Sequence, residues 1–238
     1  MKDYKGIEGD YYEKAHFEGH KAQKFHYESR EEFLLELLDL EKKDNCLEIG
    51  CGSGVLSRKI QEKFRCWVTG TDISRSAIRH ARKFQNKNLE FKVAGISKLP
   101  FKDEEFDAVV ISHLIEHVEN PGKALLEAKR VLKKNGKILI ATPNYFSPWP
   151  IAEWVFDKVL AKKGYSLQDQ HISKFDAWST EKALRVAGFE VNYLRTLYIL
   201  SMPASLFSTR ISKALFKIDK LLSKLPLGMV TYAVAFKK

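Results

Sequence analysis

The chain has 238 residues, with 40 Lys or Arg against 30 Asp or Glu, a formal net charge of +10. At roughly 150 residues per domain the length suits one domain or two. With 45% hydrophobic and 29% charged residues it is not a disordered chain, and 7 Pro with 13 Gly exclude collagen-like or Pro-rich architectures. The basic excess points to an acidic partner, whether nucleic acid, anionic lipid or an anionic small molecule. Cys46, Cys51 and Cys66 are odd in number and form no C-x-x-C pair, which argues against a disulfide framework or cysteine zinc site and suits a reducing cytosol. The N-terminus is charged and broken by glycines, unlike a secretion signal. With no long apolar run, the expected location is the cytoplasm, at most peripheral at the inner membrane face.

In chain order, a Tyr-, Phe- and His-rich stretch over 1–29 reads as an N-terminal cap, followed by a helix from Ser29 to Leu40. The apolar run Cys46 to Ile49 predicts a strand, Gly50 to Gly54 a glycine turn, and Val55 to Phe64 a helix. Cys66 to Thr71 is extended, and Ser74 caps a helix reaching about Phe84. Leu89 to Val93 and Phe106 to Ser112 are strands. Pro121 opens a helix to Leu132 with Asn135-Gly136 at its end, and Lys137 to Ala141 is a buried strand. Ser179 to Ala187 is a helix closed by Gly188, Phe189 to Leu197 a strand, and Met229 to Lys238 a final strand. Alternating helices and nearly all-apolar strands over 30–198 predict a parallel sheet covered on both faces. Ligands of such sheets bind beyond the carboxyl ends of the strands, which directs attention to the loops there.

The sharpest motif is Leu47-Glu48-Ile49-Gly50-Cys51-Gly52-Ser53-Gly54, where absent Cβ atoms let backbone approach a ligand. Asp72 follows 18 residues beyond Gly54, where a carboxylate can accept ribose hydroxyls. The spacing fails the dinucleotide pattern G-x-G-x-x-G, whose last position is Val55, and suits a smaller ligand without a pyrophosphate.

With GTDIS at 70–74, LPFKDEEFDAVV at 99–110, IEHVENP at 115–121, RVLKKNGKILIATPN at 130–144 and AGFEV at 187–191, the ordered set resembles the class I S-adenosylmethionine-dependent methyltransferases. It is most similar to the small-molecule group that includes the ubiquinone-biosynthesis O-methyltransferases. The resemblance implies an α/β fold with a doubly wound, seven-stranded, mostly parallel Rossmann-like sheet. The whole chain would be one methyltransferase domain: cap 1–29, catalytic core 30–198, helical insertion 199–228 and final strand 229–238. It implies S-adenosyl-L-methionine as cofactor, with Glu48, Gly50, Cys51, Gly52 and Gly54 along its amino acid moiety, Asp72 on the ribose and Ile73 against adenine. Arg30 would meet the cofactor carboxylate, and Ser112 and His113 complete the set. The family's usual adenine-binding Asp is Gly95 here, so only backbone near Gly95 and Ile96 is left for that contact.

Methyl transfer to a hydroxyl benefits from a general base, and His171 is the first candidate, with His117 the second. His113-Leu-Ile-Glu116-His117 matches H-x-x-E-H, whose histidines would share a helix face. Its place after the fourth strand argues against a peptidase. No metal ligand is assigned, although Glu116 and His117 would suit a divalent cation.

The aromatic stretch from Tyr145 to Tyr165, with Phe146, Trp149, Trp154 and Phe156, joins Tyr4, Tyr11, Tyr12 and Phe17 as a candidate lid over a partly apolar acceptor. Residues 203–226 read as one helix, with an apolar stripe and a basic stripe centred roughly 115° apart. That pattern suits either an interfacial helix on anionic membrane or a helix docked on the sheet or on a second subunit. The expected activity is methyl transfer to a small or lipid-linked hydroxyl. Nucleic acid is not the expected partner, because no appended RNA-binding pattern is present. An RNA methyltransferase and a non-catalytic cofactor-binding protein are the alternatives.

Overall fold

Buried aliphatic runs become the strands that the patterning predicts: β1 (Asn45–Ile49), β2 (Trp67–Asp72), β3 (Leu89–Val93), β4 (Phe106–Ser112), β5 (Leu132–Pro143), β6 (Phe189–Leu197) and β7 (Val230–Lys237). The structure is a computed structural model that describes residues 9–155, 157–158 and 170–238. Its sheet runs in the order β3-β2-β1-β4-β5-β7-β6, with β7 antiparallel to both neighbours and every other pair parallel. The order reverses between β1 and β4, so the crevice where ligands bind in such sheets lies beyond Ile49 and Ser112.

Successive strand residues serve opposite faces. On one face Cys46, Val68, Val110 and Tyr232 pack with Phe25, Leu34, Ile60 and Ile78. These last come from α2 (Lys21–Leu37), α3 (Val55–Phe64) and α4 (Arg75–Ala81). On the other face Leu47, Val109, Ile111 and Ile138 pack with Leu125, Ala128 and Leu184, from α5 (Pro121–Val131) and α7 (Ala177–Val186). Helices on both faces bury both sides of the central strands, which explains why those strands carry no polar alternation. The other α-helices among the described residues are α1 (Tyr11–Glu18), α6 (Trp149–Val155), α8 (Ser201–Ser205) and α9 (Thr209–Leu222). Side-chain caps fix three starts: Ser74 accepts from Ala77 N at 3.2 Å, Asn120 from Lys123 N at 2.9 Å and Asp176 from Ser179 N at 2.7 Å.

Three expectations change. The first long helix starts at Lys21 and not at Ser29, running straight through the boundary drawn between cap and core at residue 29. Its extra turns are held by Phe25, buried against Tyr198 and Phe216. α5 stops at Val131 and the strand begins at once, because Leu132 already pairs with Phe106. Asn135 still takes the left-handed conformation, φ 61°. The predicted helix over 203–226 is two, broken at 206–208, where Ser208 caps α9. Of the candidate lid, Tyr4, Phe156 and Tyr165 lie outside the described residues, as do the side chains of Tyr11 and Tyr12.

Candidate functional site

The turn after β1 needs its glycines. Gly50, Gly52 and Gly54 have φ of 80°, 52° and 79°, in the left-handed region that favours glycine. A Cβ at Gly54 would meet the Phe91 ring at 2.6 Å, and one at Gly50 would meet Leu114 at 2.9 Å. The N–H groups of Gly50 and Cys51 both donate to Thr71 O, tying the turn to the end of β2. Asp72 closes the arrangement, accepting from Gly52 N at 3.0 Å on one oxygen and from Ser74 N at 2.8 Å on the other. Each oxygen keeps a lone pair for a ligand hydroxyl. Burial raises the Asp72 pKa, opposed by those N–H groups. Ile73, next in the chain, is 44% exposed and faces Gly95. Ile96 turns its side chain into the core, and Cys51 is buried beside the turn, where burial pushes its thiol well up and keeps it protonated.

Glu48 lies buried under the turn and accepts a hydrogen bond from Ser57. Burial pushes its carboxyl up to about 7, against the pull of the Ser57 hydroxyl and of Arg30. Arg30 lies over the Tyr27 ring at 4.8 Å, and its buried Nε has no hydrogen-bond partner.

Across the crevice the structure gathers the histidines. His113 has φ 51°, so β4 ends in a sharp bend, and residues Ile115–His117 form one 3-10 turn. H-x-x-E-H is therefore not laid on an α-helix, and the two histidines do not share a helix face. His113 lies 3.4 Å from Glu116, and burial lowers its pKa to about 4. His26 of α2 packs edge-on against His113 with ring centroids 5.4 Å apart.

His117 and His171 have ring centroids 4.8 Å apart. His117 Nδ1 meets Gln170 O at 3.0 Å, while His171 Nδ1 bonds Glu153 and, at 2.9 Å, the Tyr145 hydroxyl. Glu153 also accepts from Tyr145 OH at 2.7 Å and from the Trp149 indole. Burial alone would raise the Glu153 carboxyl, but these three donors together hold it below the usual range. Glu116, His117 and His171 each place one ligand atom within 4.8 Å of the others, so together they could hold a metal.

Sequence reasoning missed Glu153 and His26. An i,i+4 spacing to Trp149 was the available signal for Glu153. A single histidine in the helix before β1 carried none.

A methyltransferase-domain family matches residues 47–140, from β1 into β5. An uncharacterised protein of Methanocaldococcus jannaschii is 43% identical over 94 residues, a match covering 40% of this chain and 42% of that protein. The ubiquinone biosynthesis O-methyltransferase of Coxiella burnetii is 30% identical over 178 residues, covering 69% of this chain and 74% of its own. The chain belongs to the class I S-adenosylmethionine-dependent methyltransferases. A solved S-adenosylmethionine-dependent methyltransferase from Thermotoga maritima shares the fold, with a TM-score of 0.66 at 20% identity over 95% of this chain and 94% of that one.

The cofactor of this methyltransferase family, S-adenosylmethionine, fits what the crevice offers. Three residues expected to hold it carry a buried polar atom without a hydrogen-bond partner, Arg30 Nε, Ser112 Oγ and His113 Nε2, and Ser53 Oγ in the glycine turn is a fourth such atom. A buried donor or acceptor left unmade costs about 1–3 kcal/mol, so a polar ligand has something to satisfy here. A Cβ at Gly95 would meet only Ile73, at 3.7 Å, which leaves open space above Ile73 for a flat ring.

Proposed function

We propose that this methyltransferase moves the methyl group of S-adenosylmethionine to a hydroxyl oxygen of a small or lipid-linked, partly apolar acceptor, by in-line displacement. The observation that carries the reading is His171 beside the crevice, clamped at Nδ1 by Glu153 and Tyr145. Bound S-adenosylmethionine supplies a methyl group already activated on a positively charged sulfur. What remains for the protein is to orient the acceptor and take its proton. With its Nδ1 proton directed at Glu153, the imidazole leaves its Nε2 lone pair to take the acceptor's proton, and the carboxylate faces the charge that then forms. Burial and the bond to Glu153 push the Tyr145 hydroxyl well up, so it stays a neutral partner. Trp149, roughly stacked on His171 at 6.5 Å, supplies an apolar wall.

A second reading takes its support from the same histidines. Both hold Nδ1 on an oxygen acceptor, the way a histidine that ligates a metal through Nε2 is commonly oriented. One experiment separates the readings. Extract is incubated with protein and S-adenosylmethionine labelled in its methyl group, then split into lipid, RNA and small-molecule fractions, with and without prior dialysis against EDTA. An alkali-stable methyl ether in the lipid or small-molecule fraction, formed equally after dialysis, is the expected result. Loss on dialysis, restored by a divalent cation, favours the metal reading. Label in RNA rejects the acceptor class, and no label despite cofactor binding means a non-catalytic protein.

A further inference from the structure

The insertion between β6 and β7 is amphipathic in the wrong sense for a helix docked on its own sheet. The buried face of α9 is Ser212, Phe216 and Asp219, two polar residues in three, and its C-cap Ser223 is buried as well. Asp219 is fully buried, accepting from Leu200 N at 2.9 Å, from Ser201 N at 3.0 Å and from the Ser201 hydroxyl. The apolar residues look outward. At about 100° per residue, Ile211, Ala214, Ile218 and Leu221 fall in one stripe about 80° wide, centred roughly 150° from the buried face, with exposed Phe207 just before the helix and exposed Leu225 just after it. Phe207 is 85% exposed and Leu221 83%. Exposed Leu206 and Leu227 extend the patch beyond the helix.

Such a stripe needs a cover, and its flank says of what kind. Arg210, Lys213, Lys217 and Lys220 occupy the side of α9 between the apolar stripe and the buried face, and Lys224 follows its C-cap. Lys220 pairs with Glu36 at 2.7 Å and Lys213 with Glu28 at 3.6 Å. Arg210, Lys217 and Lys224 are exposed and have no ion pair among the described residues. Lys21 and Lys24 of α2 line a surface hollow with Lys213 and Glu28, three cations against one carboxylate. From Thr196 onward there are seven Lys or Arg and one Asp, so +6 of the +10 lies in this part of the chain. A second copy of the chain would bring the same positive flank against itself. A bilayer with anionic headgroups accepts the apolar stripe and the cations together.

We infer that α9 and the preceding turn are an interfacial membrane-docking surface for anionic lipid, with Phe207, Ile211, Ile218 and Leu221 entering the acyl boundary and Arg210, Lys217 and Lys224 at the headgroups. The described residues include no helix long and apolar enough to cross a membrane, so the contact is peripheral. It does not depend on the acceptor's identity.

Co-sedimentation of the full chain with vesicles tests this. The protein is expected to pellet with phosphatidylcholine vesicles holding about 30% phosphatidylglycerol and not with pure phosphatidylcholine. Raising salt from about 0.1 M, where the screening length is about 10 Å, should weaken the pelleting. The pair Phe207→Ser and Leu221→Ser should lower partitioning about tenfold or more, with the melting temperature and S-adenosylhomocysteine affinity of the parent protein. Lys217→Gln with Lys224→Gln should lower it and flatten the salt dependence. No pelleting with anionic vesicles overturns the proposal, as does salt-independent pelleting with both vesicle types. A dimer in sedimentation velocity that the Phe207/Leu221 pair breaks, without vesicle binding, assigns the stripe to a second copy instead.

Discussion

Replacing His171 with alanine is expected to lower kcat by about 10²–10⁴-fold, the usual contribution of a positioned general base, while S-adenosylhomocysteine affinity stays unchanged. The expectation rests on how the ring is held. His171 is buried, and its Nδ1 is fixed by Glu153 and Tyr145. The glycine turn and Asp72 stand on other elements, and neither bonds the imidazole. Glu153→Gln keeps the shape but removes the anion that stabilises the protonated ring, so it should also reduce kcat, by less. Steady-state kinetics for both variants, with calorimetric binding of S-adenosylhomocysteine, makes the check. Unchanged kcat in His171→Ala rejects the base. A rise in KM alone would mean that the ring only binds acceptor equally in ground and transition states.

Much of the fold was legible because central strands buried on both faces must be apolar along their length. β3, β4 and β6 begin and end where Leu89–Val93, Phe106–Ser112 and Phe189–Leu197 were expected. Glycine turns and polar caps mark where such runs stop, which is why Gly50 to Gly54, Asp72 and Ser74 were placed correctly beside one another. The orientation of α9 was not legible. Its apolar stripe was read correctly as a stripe, but periodicity reports which residues share a face and not which face is buried. There the buried Asp219 satisfies the backbone at the start of α8, a long-range demand invisible to local pattern. The histidine pocket was half legible. His117 and His171 sit 54 residues apart in sequence and meet only because the loops after β4 and β5 open on the same edge. The H-x-x-E-H spacing misled because the chain bends at His113, φ 51°, before any helix can form. Glu153, the partner that gives His171 its direction, lay within an aromatic stretch that reads as lid.

Cofactor affinity is expected to increase with pH between about 5.5 and 7, by up to about tenfold per unit, with release of a proton on binding. Glu48 supplies that proton. In the ligand-free protein burial raises its carboxyl to about 7, with Glu31 and Asp72 pushing the same way and Ser57 and Arg30 opposing. Below that value Glu48 is mostly protonated. If it lines the ammonium end of the zwitterionic amino acid moiety, which the family resemblance places beside it, the bound state favours the carboxylate, because opposite charges at short range in a water-poor site attract strongly. The pKa is then lower in the complex, so binding expels the proton wherever the free protein still holds it. Above about 7 both states are ionised and the dependence flattens. Titrating S-adenosylhomocysteine in buffers of different ionisation enthalpy counts the protons directly. Glu48→Gln should abolish the release and lower affinity at pH 8, whereas Arg30→Ala should cost about 10-fold or more and leave the release in place. Wild-type affinity that is flat from about pH 5.5 to 8, with no proton released, would show that Glu48 does not face the ligand's positive charge. The glycine turn and Asp72 would then have to hold the cofactor without it.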